Sequence, residues 1–391
     1  MRYYLDKFNN AFRKGDMVLL LLCLVTNAFG ILIISSTTNH MGSLRYIVVQ
    51  SAAALLGVLF YVLISSVDAN FFHEHRYMLV IINTFLLLLL IPFGTDNDTG
   101  NKSWLDIPLV PVDIQPAEIC KITYVLIMAS VMNAHNNKIS SLPSVMHMAL
   151  HLGLLVGMNL ALSDDMGVSL IFVFIFVGMT FAGGVSMFWF IVAGGAIVVL
   201  APLVYEYVLD SYQQLRIDVL LNPDLDPTGV GARYHTVRSL RSLTGGGMTG
   251  QGLYQGHRTQ TSGALFAQHT DYIFSAIGEE LGYVGCALVI VMLALIVARI
   301  IWVGCRSQDY MRRMICFGAA SALIFQILSN VGMCIGITPV IGLTLPFISY
   351  GGSSLVSLYA MLGLVSGVYA RPAPTSQERY IRPPYTVKTL R

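Results

Sequence analysis

Charge is what this chain has least of. Asp, Glu, Lys and Arg make up only 11 % of its 391 residues, against about 25 % in soluble domains. The little charge present nearly cancels, with 23 cations against 21 anions for a net +2. The first shortage excludes a water-soluble enzyme, and the second excludes a nucleic-acid partner, which needs a concentrated basic footprint. Disorder is excluded as well, because 55 % of the residues are hydrophobic and the net charge is small. Cysteines are few: Cys23, Cys120, Cys286, Cys305, Cys316 and Cys334 stand in or beside apolar runs, without CxxC spacing. Neither a disulfide framework nor a zinc site is supported, and they read as small apolar residues in helix packing. The chain also lacks the inverted internal repeat of many secondary transporters.

What it has is long apolar runs. A membrane-spanning helix needs about 20 mostly apolar residues. Ten runs qualify, at roughly 17–35, 45–65, 77–93, 116–134, 146–162, 167–183, 187–204, 272–302, 313–337 and 346–370. The pattern predicts an all-α polytopic membrane protein with a long extracytoplasmic loop, at about 205–270, between spans seven and eight. A basic start (Arg2, Lys7, Arg13, Lys14) precedes the first run as in a signal peptide, but no small-residue cleavage site follows, so it reads as the first span. With the N-terminus inside, the inner segments hold Arg76, Lys138, Arg306, Arg312, Arg313 and Arg371, whereas the short outer loops hold only Lys102. Both termini are therefore expected in the cytoplasm. The organisation is a segment 1–16, a membrane domain 17–370 and a Pro-rich, basic tail 371–391.

Ionisable groups inside spans are costly and mark function by default. The fourth span opens with Gln115-Pro116-Ala-Glu118-Ile-Cys-Lys121. Pro116 suits a first helical turn, and Glu118 and Lys121, three apart, share a face. They form either a self-neutralising pair or a cation, oriented by Glu118, for an anionic substrate group. In the long loop, Tyr212-Gln-Gln-Leu-Arg216 and Gly245-Gly-Gly-Met-Thr-Gly-Gln-Gly252 stand out. The glycines resemble a phosphate cradle only weakly, having no Walker pattern or βαβ context. Asp271, in His269-Thr-Asp-Tyr-Ile-Phe274, lies where loop turns into helix, and on position alone it reads as an N-terminal cap. Glu279 and Glu280, two turns deeper, cannot both face lipid. The last span opens with Thr338-Pro339-Val-Ile-Gly342-Leu-Thr-Leu-Pro346-Phe-Ile-Ser349-Tyr350-Gly-Gly-Ser353-Ser354, whose prolines and small residues break the backbone. Such breaks need protein or a watery cavity to satisfy them, and Ser349, Tyr350 and Ser353 are expected to line one; close helix packing is the plainer alternative.

Taken together, Pro346-Phe-Ile-Ser-Tyr-Gly-Gly-Ser-Ser354, His269-Thr-Asp-Tyr-Ile-Phe274 with Gly278-Glu-Glu-Leu-Gly282, and Gln115-Pro-Ala-Glu-Ile-Cys-Lys121 resemble the SEDS family. These are the polytopic proteins of bacterial shape, elongation, division and sporulation that include RodA, FtsW and SpoVE. The resemblance implies a peptidoglycan glycosyltransferase that polymerises lipid II at the outer face of the cytoplasmic membrane. It also implies pairing with a class B penicillin-binding protein and use of Mg²⁺ or Mn²⁺. It assigns the essential acid to Asp271, a polar pair in the central cavity to Glu118 and Lys121, and a loop arginine to Arg216. Departures are Ser103-Trp104 for the usual Arg-Trp, Ser163-Asp-Asp165-Met-Gly167 for Gln-x-Asp-x-Gly, and Gly231-Ala-Arg-Tyr234-His for Gly-Tyr-Gln. A lipid II flippase and a non-catalytic scaffold for the penicillin-binding protein are the competing expectations. A transporter needs its polar groups near the midplane; a polymerase needs its base at the outer boundary.

Overall fold

The structure is a computed structural model and describes residues 14–95, 102–106, 114–207, 209–226, 229, 231 and 233–371. In chain order its main helices are α1 (Met17–Thr37), α2 (Arg45–Ser65), α3 (Arg76–Leu88), α4 (Pro116–Ala134), α5 (Leu142–Ser163), α6 (Met166–Ala182), α7 (Met187–Tyr207), α8 (Ser211–Leu221), α9 (Tyr234–Gly245), α10 (Ile273–Arg306), α11 (Tyr310–Cys334) and α12 (Gly352–Ala370). Among the described residues, nine helices are long and apolar enough to cross a membrane, with α3 continued to Phe93, and α6 is a shorter apolar helix. Each of the ten expected spans thus has its helix, and the chain is a multi-pass membrane protein.

Polar residues at the turns set several helix starts. Asp16 accepts from the Leu19 amide at 3.1 Å, Asp165 from Val168 at 2.9 Å and Asp309 from Arg312 at 2.8 Å, each satisfying a donor that a first turn leaves orphaned. α4 and α12 form the buried centre. There small residues let backbones meet: a Cβ on Gly57 of α2 would lie 2.5 Å from the Tyr359 ring of α12, and one on Gly363 would lie 2.7 Å from the Tyr61 carbonyl. α7 has no fully buried residue; apart from Trp189 and Phe190, which pack on the core, most of its surface is left for lipid.

Two expectations change. The last span begins at Gly352 rather than near 346, because residues 338–351 run without helix. Pro339 and Pro346 carry no N–H, and Gly342 (φ +66°) and Phe347 (φ +64°) lie in the left-handed region. For a bulky residue such as Phe347 that conformation persists only when its surroundings impose it. The long loop is not structureless either. It holds α8, closed by a reciprocal Asp210–Gln213 capping box, then α9, then a run of turns from Gly246 to Tyr272.

α10 is two helices joined at Gly282 (φ +67°, ψ −164°). The piece beyond it, 283–306, is long enough to span alone at 1.5 Å per residue, which leaves the first piece in the loop layer. The Gly245–Gly252 stretch packs on that first piece: a Cβ on Gly246 would strike the Gly278 carbonyl at 1.8 Å, and one on Gly250 the Glu280 carbonyl at 2.1 Å. The glycines serve close backbone contact, not a phosphate cradle. At the opposite end, Arg299 grips Asp16 with two bonds of 2.8 and 2.9 Å, stacked over Trp302 and Tyr369. Five cysteines are buried, as packing residues should be, while Cys305 at the end of α10 is exposed.

Candidate active site

The site is organised by the irregular segment 338–351 at the loop end of the bundle. Because it makes no helix, its backbone needs partners, and amides from the spans supply them. Asn27 of α1 donates to the Phe347 carbonyl at 3.1 Å, and Gln50 of α2 donates to the Ser349 carbonyl and accepts from the Gly351 amide, both at 3.1 Å. Asn330 of α11 donates to the Leu343 carbonyl at 2.7 Å and to the Asp271 carbonyl at 2.8 Å. Arg216 of α8 donates to the Val340 carbonyl at 3.0 Å.

Asp271 lies against this strap. A Cβ built on Gly342 would stand 3.7 Å from its Oδ2. It caps nothing: the N-cap of α10 is Tyr272, which makes no side-chain cap bond. No hydrogen bond or ion pair reaches its carboxylate from the described residues, and burial pushes its pKa up to about 6. The expected capping role is therefore absent, and what remains is a carboxylate with unused acceptor capacity.

Ser349 and Tyr350 meet Asp271 through the backbone rather than by lining an open cavity. Ser349 Oγ donates to the Thr270 carbonyl at 2.6 Å and accepts from the Leu345 amide at 2.9 Å. The Tyr350 amide donates to the His269 carbonyl at 2.8 Å, and its ring packs edge-on with Tyr46 at 5.1 Å. The freed backbone groups are near enough to bond one another, so these residues clasp the strap to the 269–271 turn. Ser353 is half-buried, with its hydroxyl turned inward and unpartnered.

A second polar centre lies on α4. Lys121, 2 % exposed, donates to Glu118 Oε1 at 2.8 Å, and Ser357 of α12 donates to Glu118 Oε2 at 2.5 Å. Near them, Asp165 Oδ2 accepts from Gln115 at 3.2 Å and Ser103 at 3.4 Å. Burial raises the Asp165 pKa, with Glu118 adding to the shift and Lys121 opposing it. The strap joins the two centres, since a Cβ on Gly167 would meet the Ile341 carbonyl at 2.7 Å. Asp271, Arg216, Ser349 and Tyr350 thus all meet along the strap, with Glu118 and Lys121 in the adjoining cluster.

Glu279 and Glu280 face neither lipid nor Asp271. Both are buried. Glu280 ties the loop to α1, accepting from Ser36 of α1 (2.6 Å) and from Thr259 (2.7 Å) and Gln260 (3.1 Å) of the loop, and Glu279 accepts from the Arg258 amide (2.6 Å). Asn27, Gln50 and Asn330 escaped the sequence reading because an uncharged amide barely dents a hydropathy window. Their signal is an amide inside a run otherwise free of strong polar groups.

A family model described as a cell cycle protein and covering FtsW, RodA and SpoVE matches residues 16–372. The chain belongs to this family. Among family members, the peptidoglycan glycosyltransferase MrdB of Escherichia coli K12 is 30 % identical over 359 residues, covering 90 % of this chain and 93 % of that one. The probable peptidoglycan glycosyltransferase FtsW of Trichlorobacter lovleyi is 31 % identical over 373 residues, covering 91 % and 94 %. The crystal structure of the rod shape determining protein RodA of Thermus thermophilus superposes with a TM-score of 0.67 at 25 % identity, over 91 % of this chain and 96 % of RodA. A chain of a peptidoglycan synthase complex that coordinates polymerization and crosslinking superposes at 0.77 with 27 % identity, over 91 % and 97 %. Strap, loop helices and spans all fall inside the matched stretch.

Proposed function

We propose that this chain is a peptidoglycan glycosyltransferase that polymerises lipid II at the outer face of the cytoplasmic membrane, releasing undecaprenyl diphosphate. The observation that carries the reading is Asp271: an acid on the family's His-Thr-Asp motif, capping no helix, without a cation among the described residues, and with its pKa raised towards neutrality. The relatives named as peptidoglycan glycosyltransferases support the reaction class. The cations at the Asp16 end of the bundle (Arg76, Lys138, Arg306, Arg312, Arg313, Arg371) support placing that end and both termini in the cytoplasm, which puts Asp271 outside.

The chemistry is a displacement. The 4-hydroxyl of one GlcNAc attacks the anomeric carbon of the other lipid-linked sugar. A carbon–oxygen bond forms as the bond to the diphosphate breaks, and the hydroxyl proton passes to Asp271. A carboxylate of pKa near 6 is ionised at neutral pH yet basic enough to take that proton in the transition state. Charge developing on the diphosphate is met by Arg216 at the strap, and the Lys121–Glu118 pair acts from the interior as a fixed dipole. No group of three or more His, Cys, Asp or Glu side chains that could hold an ion converges among the described residues, so a Mg²⁺ or Mn²⁺ would take most of its ligands from the substrate diphosphate and water. The peptidoglycan synthase complex among the structural neighbours supports a partner, and we assign a class B penicillin-binding protein to that place.

The test is polymerisation on a gel, with lipid II supplied to the purified chain and its cognate partner, wild type against Asp271→Asn. Polymer from wild type alone upholds the reading. Equal polymer from both removes Asp271 as the base. No polymer from either, together with transfer of lipid II across liposomes, replaces the polymerase with a flippase.

A further inference from the structure

Outside the spans, a row of rings leads from the surface to Tyr272, the chain neighbour of Asp271. Phe266, in the turn five residues before Asp271, is 63 % exposed. Its ring lies 5.0 Å from that of His235 at the start of α9. His235 in turn faces Tyr272 at 6.1 Å with the ring planes 29° apart, and Tyr272 is the residue directly after Asp271. The row is held stiff. Arg238 donates to the Ala264 carbonyl at 2.9 Å, with its guanidinium 4.1 Å above the Tyr234 ring. Ala267 sits at φ +46°, a conformation that a non-glycine residue keeps only under constraint. Gln268 locks the same turn with bonds to the carbonyls of Thr37 (2.7 Å) and Thr259 (2.9 Å).

A large aromatic left bare on a rigid turn, outside every spanning helix, offers flat apolar area that needs no ordering on binding. A pyranose ring has the matching chemistry: one face of C–H groups for the ring, and a rim of hydroxyls for water and for polar neighbours. Burial and the nearby Arg216 and Arg238 lower the His235 pKa, which keeps the imidazole neutral and able to stack at neutral pH. His235 is also where the family's Gly-Tyr-Gln is replaced in this sequence.

We propose that Phe266 and His235 form a sugar-stacking subsite that holds a saccharide ring of the lipid-linked substrate or growing glycan on the turn that leads into Asp271. This rests on the polymerase reading and deepens it by saying where a sugar lies. The test compares Phe266→Ala, Phe266→Leu and Phe266→Trp with wild type in the lipid II assay with the partner present. Alongside it, saturation-transfer NMR reads contact with a soluble GlcNAc–MurNAc tetrasaccharide. Because Phe266 is exposed, all three variants should fold, checked by gel filtration. Stacking predicts that Ala and Leu each raise KM for lipid II about three- to tenfold, the size of one aromatic contact, with kcat little changed, and weaken the saturation transfer. Trp should retain both. Wild-type behaviour of the Leu variant would mean a generic apolar contact, with membrane or with a partner protein, and would overturn the subsite; four indistinguishable proteins would do the same. Failure of wild type to polymerise removes the enzyme reading alone. The NMR comparison then decides the subsite by itself.

Discussion

A half-buried carboxylate with no cation among the described residues and no cap to serve is costly to ionise, and Asp271 is kept in that condition. Because the ionised form is the base, kcat/KM should fall as pH drops through about 6, a limb that a pH profile with lipid II will show. Asp271→Asn should cost about 10²–10⁴ in rate. The linkage sign runs the other way for stability. A folded-state pKa raised above the unfolded value favours the native state when the group is protonated, and that advantage is lost as pH rises through the folded value. At neutral pH the uncharged Asn variant should therefore melt higher than wild type. The motif around Asp271 made it legible as a candidate from sequence. That it caps nothing was not legible, because a cap depends on where the first helical turn begins. Asn330 was invisible for the reason given above, yet it holds the Asp271 and Leu343 carbonyls together. Asn330→Ala leaves the Leu343 carbonyl unmet and the Asp271 carbonyl with only a weak Cys334 S–H contact, and should cost about 1–3 kcal/mol in stability. The accompanying loss should appear in kcat more than in KM, as steady-state assays can resolve.

At the level of elements, the spans were readable because each needs little beyond length and hydropathy. The strap was readable only as a break in the last span, since its path depends on amides brought from distant helices. Gly282 shows the same limit. Its sequence looks helical, but its backbone turns left-handed where the glycine loop lands. A Cβ there would lie 2.4 Å from the Gly250 nitrogen and 2.6 Å from the Met248 carbonyl. Gly282→Ala should therefore detach residues 246–256 and open them to limited proteolysis while the spans persist. The Glu118–Lys121 pair can be tested as a unit. Lys121→Met alone strands a buried carboxylate and should cost about 3–5 kcal/mol, whereas Lys121→Met with Glu118→Gln should recover most of it. A stable but inactive double variant in the polymerisation assay would show that the pair acts on the substrate and not on packing alone.

Across the whole molecule, stability and chemistry sit at opposite ends. The Asp16–Arg299 grip ties the start of α1 to α10, and Ser366 of α12 receives the Asp16 amide at 3.0 Å. Asp16→Ala should lower the melting temperature in detergent while leaving KM for lipid II unchanged at low temperature, since nothing in that grip touches the strap.

The strap also has a consequence for biosynthesis. Asn27 and Gln50 bond partners 320 and 299 positions further along, and ribosomes add roughly 5–20 residues per second. For something like 15–60 s, then, each new copy carries two amides in its first helices with nothing to hold. Asp271 has by then been made but has no strap to lie against. Translation thus acts as a safety catch: a copy stalled or cut before residue 338 carries Glu118, Lys121, Arg216 and Asp271, and none of the strap that turns them into a site.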